Sequence, residues 1–126
     1  MRDLLLVAFG GAVGAVTRWK LGGLVLHHAE AMKFPLSTFL VNVLGCLACG
    51  LLVALGERQD WLTAPMRLLL FTGLLGGFTT FSAFGLELTS LLRRGDLMIA
   101  ASYAVLSVAC GVAALLAGIS IAGGAR

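Results

Sequence analysis

The stretch Leu97–Ala122, LMIAASYAVLSVACGVAALLAGISIA, contains no charged side chain. A helix needs about 20 mainly apolar residues to cross the ~30 Å hydrocarbon core of a bilayer. This stretch exceeds that length, and its polar side chains are limited to small hydroxyls, one tyrosine and one thiol. It therefore predicts a transmembrane helix and indicates that the chain folds in lipid.

Three further apolar runs have the length of a membrane span. The predicted spans are residues 4–26, 36–55, 65–92 and 97–122. The first run carries Arg18 and Lys20 and lacks both a compact basic start and a clear small-residue cleavage site. We therefore expect it to be a span of the mature protein and not a signal peptide. The connections are short, so the sequence predicts one domain, 1–126, an all-α membrane protein of four transmembrane helices.

The overall composition excludes a soluble domain. Of the 126 residues, 60% are apolar and 12% are charged, against about 25% charged in soluble domains. The mean hydropathy is +1.02. The three cysteines, Cys46, Cys49 and Cys110, lie inside apolar runs. We expect them to serve as small packing residues, without a disulfide or a metal.

The basic residues are almost evenly divided between the two sides of the membrane. With four spans, the side of both termini carries Arg2, Arg58, Arg67 and Arg126. The other side carries Lys20, Lys33, Arg93 and Arg94, or five basic residues if Arg18, deeper in the first span, is counted. The positive-inside rule therefore gives no orientation. Two interpretations remain open: chance variation in short loops, or dual topology, in which the chain inserts both ways and the two forms pair antiparallel.

The centre of the third span, GLLGGFTTFSAFG at residues 73–85, combines helix-weakening and polar residues. Gly76 and Gly77 precede Thr79, Thr80 and Ser82. Paired glycines weaken a helix, and hydroxyls can satisfy the backbone groups that this frees. A break here would leave carbonyls able to hold a cation and N–H groups able to hold an anion. The alternative is a kinked but continuous helix.

Aromatic and amide side chains accompany this region. Phe78, Phe81 and Phe84 are three residues apart, which places them near one another on one helix face. They are either a packing stripe or rings whose positive edges face a small anion. Asn42, in the second span with Thr38 one turn before it, needs a partner in hydrocarbon. That partner is either another helix or an anion.

Four more polar side chains lie within the predicted spans. Arg18 either extends to the interface or supplies positive potential to a vestibule. Glu87 is late in the third span, and Tyr103 and Ser107 are one turn apart in the fourth. The hydroxyls of Tyr103 and Ser107 either line one groove or make interhelical hydrogen bonds.

Three motifs, in order along the chain, resemble the Fluc (CrcB) family of fluoride channels. They are GAVGAVTRW at residues 11–19, STFLVNVLG at 37–45 and GGFTTFSAF at 76–84, the last followed by Glu87. The resemblance covers the whole chain. It implies passive export of fluoride across a bacterial inner membrane by an antiparallel dual-topology homodimer with two pores.

The resemblance also implies roles for individual residues. A central sodium ion would be held by the main-chain carbonyls of Gly76 and Thr79 of each subunit. The fluoride pathway would include Asn42, Phe81, Phe84 and Ser82, more loosely Thr38, Tyr103 and Ser107, and also Thr80 and Glu87, with Arg18 in a vestibule. The family often has Ser or Thr where this chain has Ala83, so one pathway hydroxyl is expected to be missing.

Other function classes fit the sequence less well. A small proton-coupled multidrug transporter needs a carboxylate in the membrane, and Glu87 is the only one inside a predicted span. A structural subunit would explain the glycines but not the clustered Asn, Thr, Ser and Phe. No Ser–His or paired-carboxylate arrangement exists, so we expect no enzyme. The expected partners are fluoride, a second copy of the chain and lipid, and no nucleic acid.

Overall fold

The computed structural model describes residues 1–29, 32–59 and 61–123. Four helical segments in it are long and apolar enough to cross a membrane. They are α1 (Arg2–Ala29), α2 (Leu36–Gln59), a third span over Ala64–Arg93, and a last helix over Leu97–Gly123. The described residues form no strand, which confirms the all-α fold with four membrane-spanning helices. Arg126, counted above among the basic residues, lies outside the described residues.

The third span is composed of several helical pieces. They are α3 (Ala64–Arg67), a π-helical segment (Leu68–Leu75), α4 (Gly76–Phe78) and α5 (Phe81–Arg93), so the last helix is α6 (Leu97–Gly123). Between α4 and α5, Thr79 (φ −83°, ψ 157°) and Thr80 (φ −149°, ψ 119°) have extended backbone. The Thr79 N–H still donates to the Leu75 carbonyl at 2.9 Å, whereas the Thr80 N–H leaves the helical pattern and the helix resumes at Phe81. We call Thr79 and Thr80 the interruption.

Helix α1 packs backbone-to-backbone against the first half of the third span. A Cβ atom added to Gly14 would overlap the Leu74 carbonyl and the Phe78 nitrogen, and one added to Gly77 would overlap the backbone of Gly11. In lipid, where burial of apolar surface does not drive association, such close approach gives helix pairs their van der Waals contact. The glycine-rich motif of α1 therefore fixes this pair of helices.

Helices α2 and α6 form the second close pair. A Cβ on Gly50 of α2 would overlap the Leu115 carbonyl, and one on Gly118 of α6 would lie 2.5 Å from the Leu47 carbonyl. Each spanning helix is thus paired mainly with the span two positions away in sequence. The interruption follows α4, which contacts both α1 and α2, and α5 then packs against α6 and α2.

Gly14→Ala is expected to destabilise the protein by about 1–3 kcal/mol, the usual cost of overpacking, because the added methyl collides with backbone that cannot rotate away. Thermal unfolding in detergent measures the effect. Gly23→Ala in the same helix is the matched control, since nothing lies within 4 Å of its added Cβ. Equal unfolding temperatures for the two variants would contradict the close-packing explanation.

An aromatic cluster closes one end of the molecule. Leu91, Ala100 and Tyr103 are buried, and Phe34, Phe39, Phe84, Leu88 and Ile99 pack around them. The turn from α5 to α6 passes through Gly95, whose φ of 78° favours glycine. Lys33 forms an ion pair with Asp96 of this turn at 3.2 Å. The segment before α2 is thereby held against the turn between α5 and α6.

Candidate functional site

The side chain of Asn42 holds the interruption against α2. Its Oδ1 accepts a hydrogen bond from the Thr80 N–H at 2.8 Å, and its Nδ2 donates to the Thr80 carbonyl at 3.0 Å. Both backbone groups that the interruption frees at Thr80 are therefore satisfied by one amide. Because an amide carries two N–H donors, one hydrogen of Nδ2 is left for another acceptor.

The hydroxyl of Thr80 caps the restart of the helix. Its Oγ1 accepts from the Ala83 N–H at 3.2 Å and lies 3.2 Å from the Ser82 Oγ. The N–H groups of the first helical turn have no intrahelical carbonyl to bind. The start of α5 therefore presents the backbone donors of Phe81 and Ser82 beside two hydroxyls.

The carbonyls of Gly76 and Thr79 are among those that lose their helical donors at the interruption. In an unbroken α-helix, each carbonyl accepts from the N–H four residues later. For Gly76 that N–H belongs to Thr80, and for Thr79 it belongs to Ala83. Both of these N–H groups instead bind side-chain oxygens, those of Asn42 and Thr80. Gly76 is also exposed on the surface of the subunit.

A cavity of about 270 Å³ opens beside the interruption, between α2, α5 and α6. Its lining residues are Asn42, Cys46, Thr79, Thr80, Phe81, Phe84, Ser107 and Val108. Five residues that the sequence placed in a pathway thus meet in one space: Asn42, Thr80, Phe81, Phe84 and Ser107. Their polar groups are neutral, and none of the described residues that line the cavity carries a charged side chain.

The two cavity phenylalanines are in ring contact. Their centroids are 5.5 Å apart with a 33° angle between the planes, and Phe84 also contacts the Tyr103 ring at 5.0 Å. Phe84 is half-buried, whereas Phe81 is 83% exposed. Phe78 precedes the interruption and packs near Gly45 of α2, so it stands apart from this pair.

A hydrogen-bonded cluster of three spans lies on the far side of Phe84. The Thr38 hydroxyl donates to Glu87 Oε1 at 2.7 Å, and the Tyr103 hydroxyl donates to Oε2 at 2.7 Å. Thr38 and Tyr103 are both buried. Each carboxylate oxygen of Glu87 therefore has a hydroxyl partner. Sequence analysis named the three residues separately, and the structure brings them together.

The remaining predicted residues occupy different places. Ser107 lines the cavity, and its buried Oγ has no hydrogen-bond partner within the described part of the chain. Ser82 is exposed and adjoins Thr80. Arg18 is half-buried in α1 and does not line the cavity.

Sequence analysis missed Cys46 and Val108 as lining residues. For Cys46 a usable pattern existed, because it follows Asn42 by one helical turn and therefore lies on the same face of α2. Val108 directly follows Ser107 in α6. It is an apolar residue inside an apolar span, so no sequence pattern identifies it as a lining residue.

The fold and the cavity define a class of protein. The chain has four spans with short connections, and three of these spans line a small cavity with a few polar groups, next to an interruption in a helix. This arrangement is typical of small multi-pass transport proteins, in which irregular backbone at membrane depth is tolerated where it lines a cavity.

The chain belongs to the CrcB family. The family profile described as CrcB-like protein, Camphor Resistance (CrcB), matches residues 5–119. A relative from Methylobacillus flagellatus named Fluoride-specific ion channel FluC is 49% identical over 96% of this chain and 94% of its own. Proteins of the same name from Allorhizobium ampelinum (45%) and Chloroflexus aurantiacus (44%) also match over 96% of this chain and 96% and 95% of their own. The predicted family is confirmed, and it is one of channels and not of enzymes.

Proposed function

We propose that this chain forms a passive, fluoride-selective channel that exports fluoride across a bacterial inner membrane. The observation that carries the proposal is the cavity in which Asn42, Thr80, Ser107 and two phenylalanine rings converge without a charged side chain. Relatives named fluoride-specific ion channels, one of them 49% identical, support the choice of anion.

The chemistry of the cavity suits a small, strongly hydrated anion. Conduction requires replacing water with donors, yet binding must stay weak enough for the ion to leave. The free N–H of Asn42, the hydroxyls and the positive edges of the rings meet both demands. The start of α5 adds the positive end of a helix dipole. Because fluoride trapped inside a cell is an anion, the membrane potential would drive it out through such a path.

Exposure at the interruption supports a second copy of the chain as partner. Gly76 is exposed and Phe81 is 83% exposed in the single chain. Both adjoin the most polar part of the third span, and polar groups at a lipid-facing surface are costly. An antiparallel homodimer would cover this surface and let Phe81 of each subunit contribute to a path. We propose two such paths per dimer, one for each copy of the cavity.

A sodium ion at the centre of that dimer is the second part of the proposal. The carbonyls of Gly76 and Thr79 have lost their helical donors, and Gly76 lies at the exposed surface. Carbonyls of interrupted membrane helices are suitable ligands for sodium. Two carbonyls from each subunit would supply such a site, and the ion would hold the two interruptions together.

The arrangement of Glu87 disfavours proton-coupled drug transport. A carrier of that kind exchanges its substrate for protons at an accessible carboxylate, whereas both oxygens of Glu87 accept hydroxyl hydrogen bonds. The Thr38 and Tyr103 partners are buried. We therefore assign Glu87 to positioning Thr38 and Tyr103 beside the path.

Efflux from proteoliposomes tests the proposal. Vesicles loaded with potassium fluoride and given a potassium ionophore should release fluoride rapidly when they contain the purified protein. Protein-free vesicles and vesicles loaded with chloride are the controls. Equal release of chloride and fluoride, or release no faster than from empty vesicles, would overturn fluoride selectivity or conduction respectively.

Dual topology is expected because the basic residues are balanced between the two sides. A reporter fused to the C-terminus should be found on both faces of the membrane in comparable amounts. Three lysines added at that terminus should bias the orientation and lower efflux, since a one-way population cannot form antiparallel pairs. A reporter found on a single face without added lysines would refute this prediction.

Removal of sodium should weaken the dimer. When N-methylglucamine replaces every alkali cation, and a proton ionophore carries the compensating charge in place of the potassium ionophore, fluoride efflux is expected to fall at least about tenfold, because carbonyls facing one another at the dimer centre lose their shared cation. Returning sodium should restore efflux. A protein that conducts fully without any alkali cation has no such requirement, and the sodium assignment would then be wrong.

A further inference from the structure

We infer that the Cys46 thiol lines the proposed fluoride path and is the position at which a small thiol reagent closes the channel. The inference rests on the proposed function and adds a modification site to it. The chain has three cysteines, and the inference concerns Cys46 alone. The other two cysteines therefore serve as internal controls for thiol modification.

The position of Cys46 follows from two facing helices. On α2 it lies one turn after Asn42, and both line the 270 Å³ cavity. On α6 the facing residues are Ser107 and Gly111, again one turn apart. The Cys46 Sγ lies 3.4 Å from the place where a Cβ on Gly111 would stand. The missing side chain at Gly111 thus leaves room for the thiol between the two helices.

Ser107 gives independent evidence that a ligand or water reaches this depth. Its Oγ is buried and has no hydrogen-bond partner among the described residues, and the residue lines the same cavity as Cys46. A buried hydroxyl is normally satisfied by protein or by ordered water. In this cavity, the groups free to satisfy it are water and the passing anion. A reagent that follows the same route reaches the neighbouring thiol.

The other cysteines have different surroundings. Cys49 borders a separate crevice between α2 and the first half of the third span, together with Glu57, Arg67 and Phe71. Cys110 lines neither this crevice nor the cavity. Because neither thiol lines the cavity that contains Asn42, Phe84 and Ser107, we expect modification of either one to leave that cavity open.

Methyl methanethiosulfonate is a suitable probe because it is small and uncharged. The Cys46 thiol gives up its proton to water, and its sulfur attacks the methylthio sulfur of the reagent. A new S–S bond forms, the bond between the two reagent sulfurs breaks, and methanesulfinate leaves. The methylthio group that remains on Cys46 fills part of the cavity. Dithiothreitol reduces the mixed disulfide, is itself oxidised to its cyclic disulfide, and releases methanethiol.

The experiment compares efflux before and after treatment in proteoliposomes of wild type, Cys46→Ser, Cys49→Ser and Cys110→Ser. In wild type, Cys49→Ser and Cys110→Ser, treatment should lower the efflux rate at least about fivefold, which corresponds to about 1 kcal/mol of barrier. Dithiothreitol should restore the untreated rate. In Cys46→Ser the treated and untreated rates should be nearly equal, whatever the basal rate of that variant. If Cys46→Ser does not elute as an intact dimer, Cys46→Ala is used in its place.

Peptide mass spectrometry of the same samples reports which thiol was modified. Three results would overturn the inference: Cys46 unmodified in the folded protein, Cys46 fully modified with unchanged efflux, or Cys46→Ser inhibited as strongly as wild type. Failure of the proposed function looks different, because untreated wild-type vesicles would then release no fluoride. In that case labelling of Cys46 would still show that water reaches the thiol, and its absence would refute that access.

Discussion

Phe84→Ile is expected to lower fluoride efflux at least about tenfold, which corresponds to about 1.4 kcal/mol of barrier, while the dimer stays intact. The Phe84 ring lies between the cavity and the cluster around Glu87, in contact with Phe81 and Tyr103. Isoleucine keeps apolar bulk, so a packing role alone would cost less than about 1.5 kcal/mol of stability. It removes the positive ring edge that would face the anion in the proposed path. Phe81→Ile is expected to act in the same direction.

Phe34→Ile is the matched control for this prediction. Phe34 packs edge-on against Tyr103 with centroids 5.3 Å apart, but it does not line the cavity. It should conduct at nearly the wild-type rate. Efflux is measured together with elution on a sizing column. If the Phe84 variant remains dimeric and conducts like the Phe34 variant, both rings are packing residues and the path lies elsewhere.

Asn42→Asp is expected to lose both conduction and stability. The carboxylate cannot donate to the Thr80 carbonyl, so two oxygens face each other where a 3.0 Å hydrogen bond stood. It also places a negative charge in the cavity that an anion must cross. Breaking a buried hydrogen bond to leave an unsatisfied group costs about 1–3 kcal/mol, and we expect efflux to fall to the level of empty vesicles.

Asn42→Ser separates the two effects. Serine brings no charge but is too short to bind both backbone groups of Thr80, so it should lose stability comparably and lose less efflux than the aspartate variant. Unfolding temperature and efflux are measured on the same preparations. Equal efflux from the two variants would show that charge repulsion plays no part. Wild-type stability in both would show that Asn42 does not support the interruption.

This double role of Asn42 marks the limit of what the sequence reveals about the site. An amide in a membrane span must find a partner, and that much follows from position 42 alone. Which partner it takes depends on how α2 approaches the third span. The sequence therefore left two partners open for Asn42, another helix or an anion, and the two hydrogen bonds to Thr80 give it a structural task in the interruption.

The helices themselves were more accessible to prediction. The lengths of the apolar runs located all four spanning helices, because the thickness of the bilayer sets how many apolar residues a spanning helix needs. Their ends were predicted less well: α2 was expected to end at residue 55 but continues to Gln59. Helical hydrogen bonding continues through polar residues beyond the last apolar one. A prediction from hydropathy therefore ends the helix too early. The π-helical segment Leu68–Leu75 was not predicted either. It lies where the third span packs closely on the glycines of α1, and local sequence does not reveal that contact.

The cluster of Thr38, Glu87 and Tyr103 shows the same limit. Helical spacing linked Thr38 to Asn42 and Tyr103 to Ser107, since these pairs lie on single helices. The hydrogen bonds that join three different spans at Glu87 depend on tertiary packing. Sequence spacing therefore identified members of the site within each helix, and the structure was needed to assemble them.

The pairing of each span with the one two places away has a consequence for biogenesis. The ribosome delivers α1 and α2 first, and each then waits in the bilayer for a partner that has not yet been made. The α1 contact forms only after the third span emerges, and the α2 contact only after α6 does. Most of the interhelical packing thus has to wait until the third span and α6 have been made. Helix α2 in particular has no main partner until the last span of the chain is synthesised.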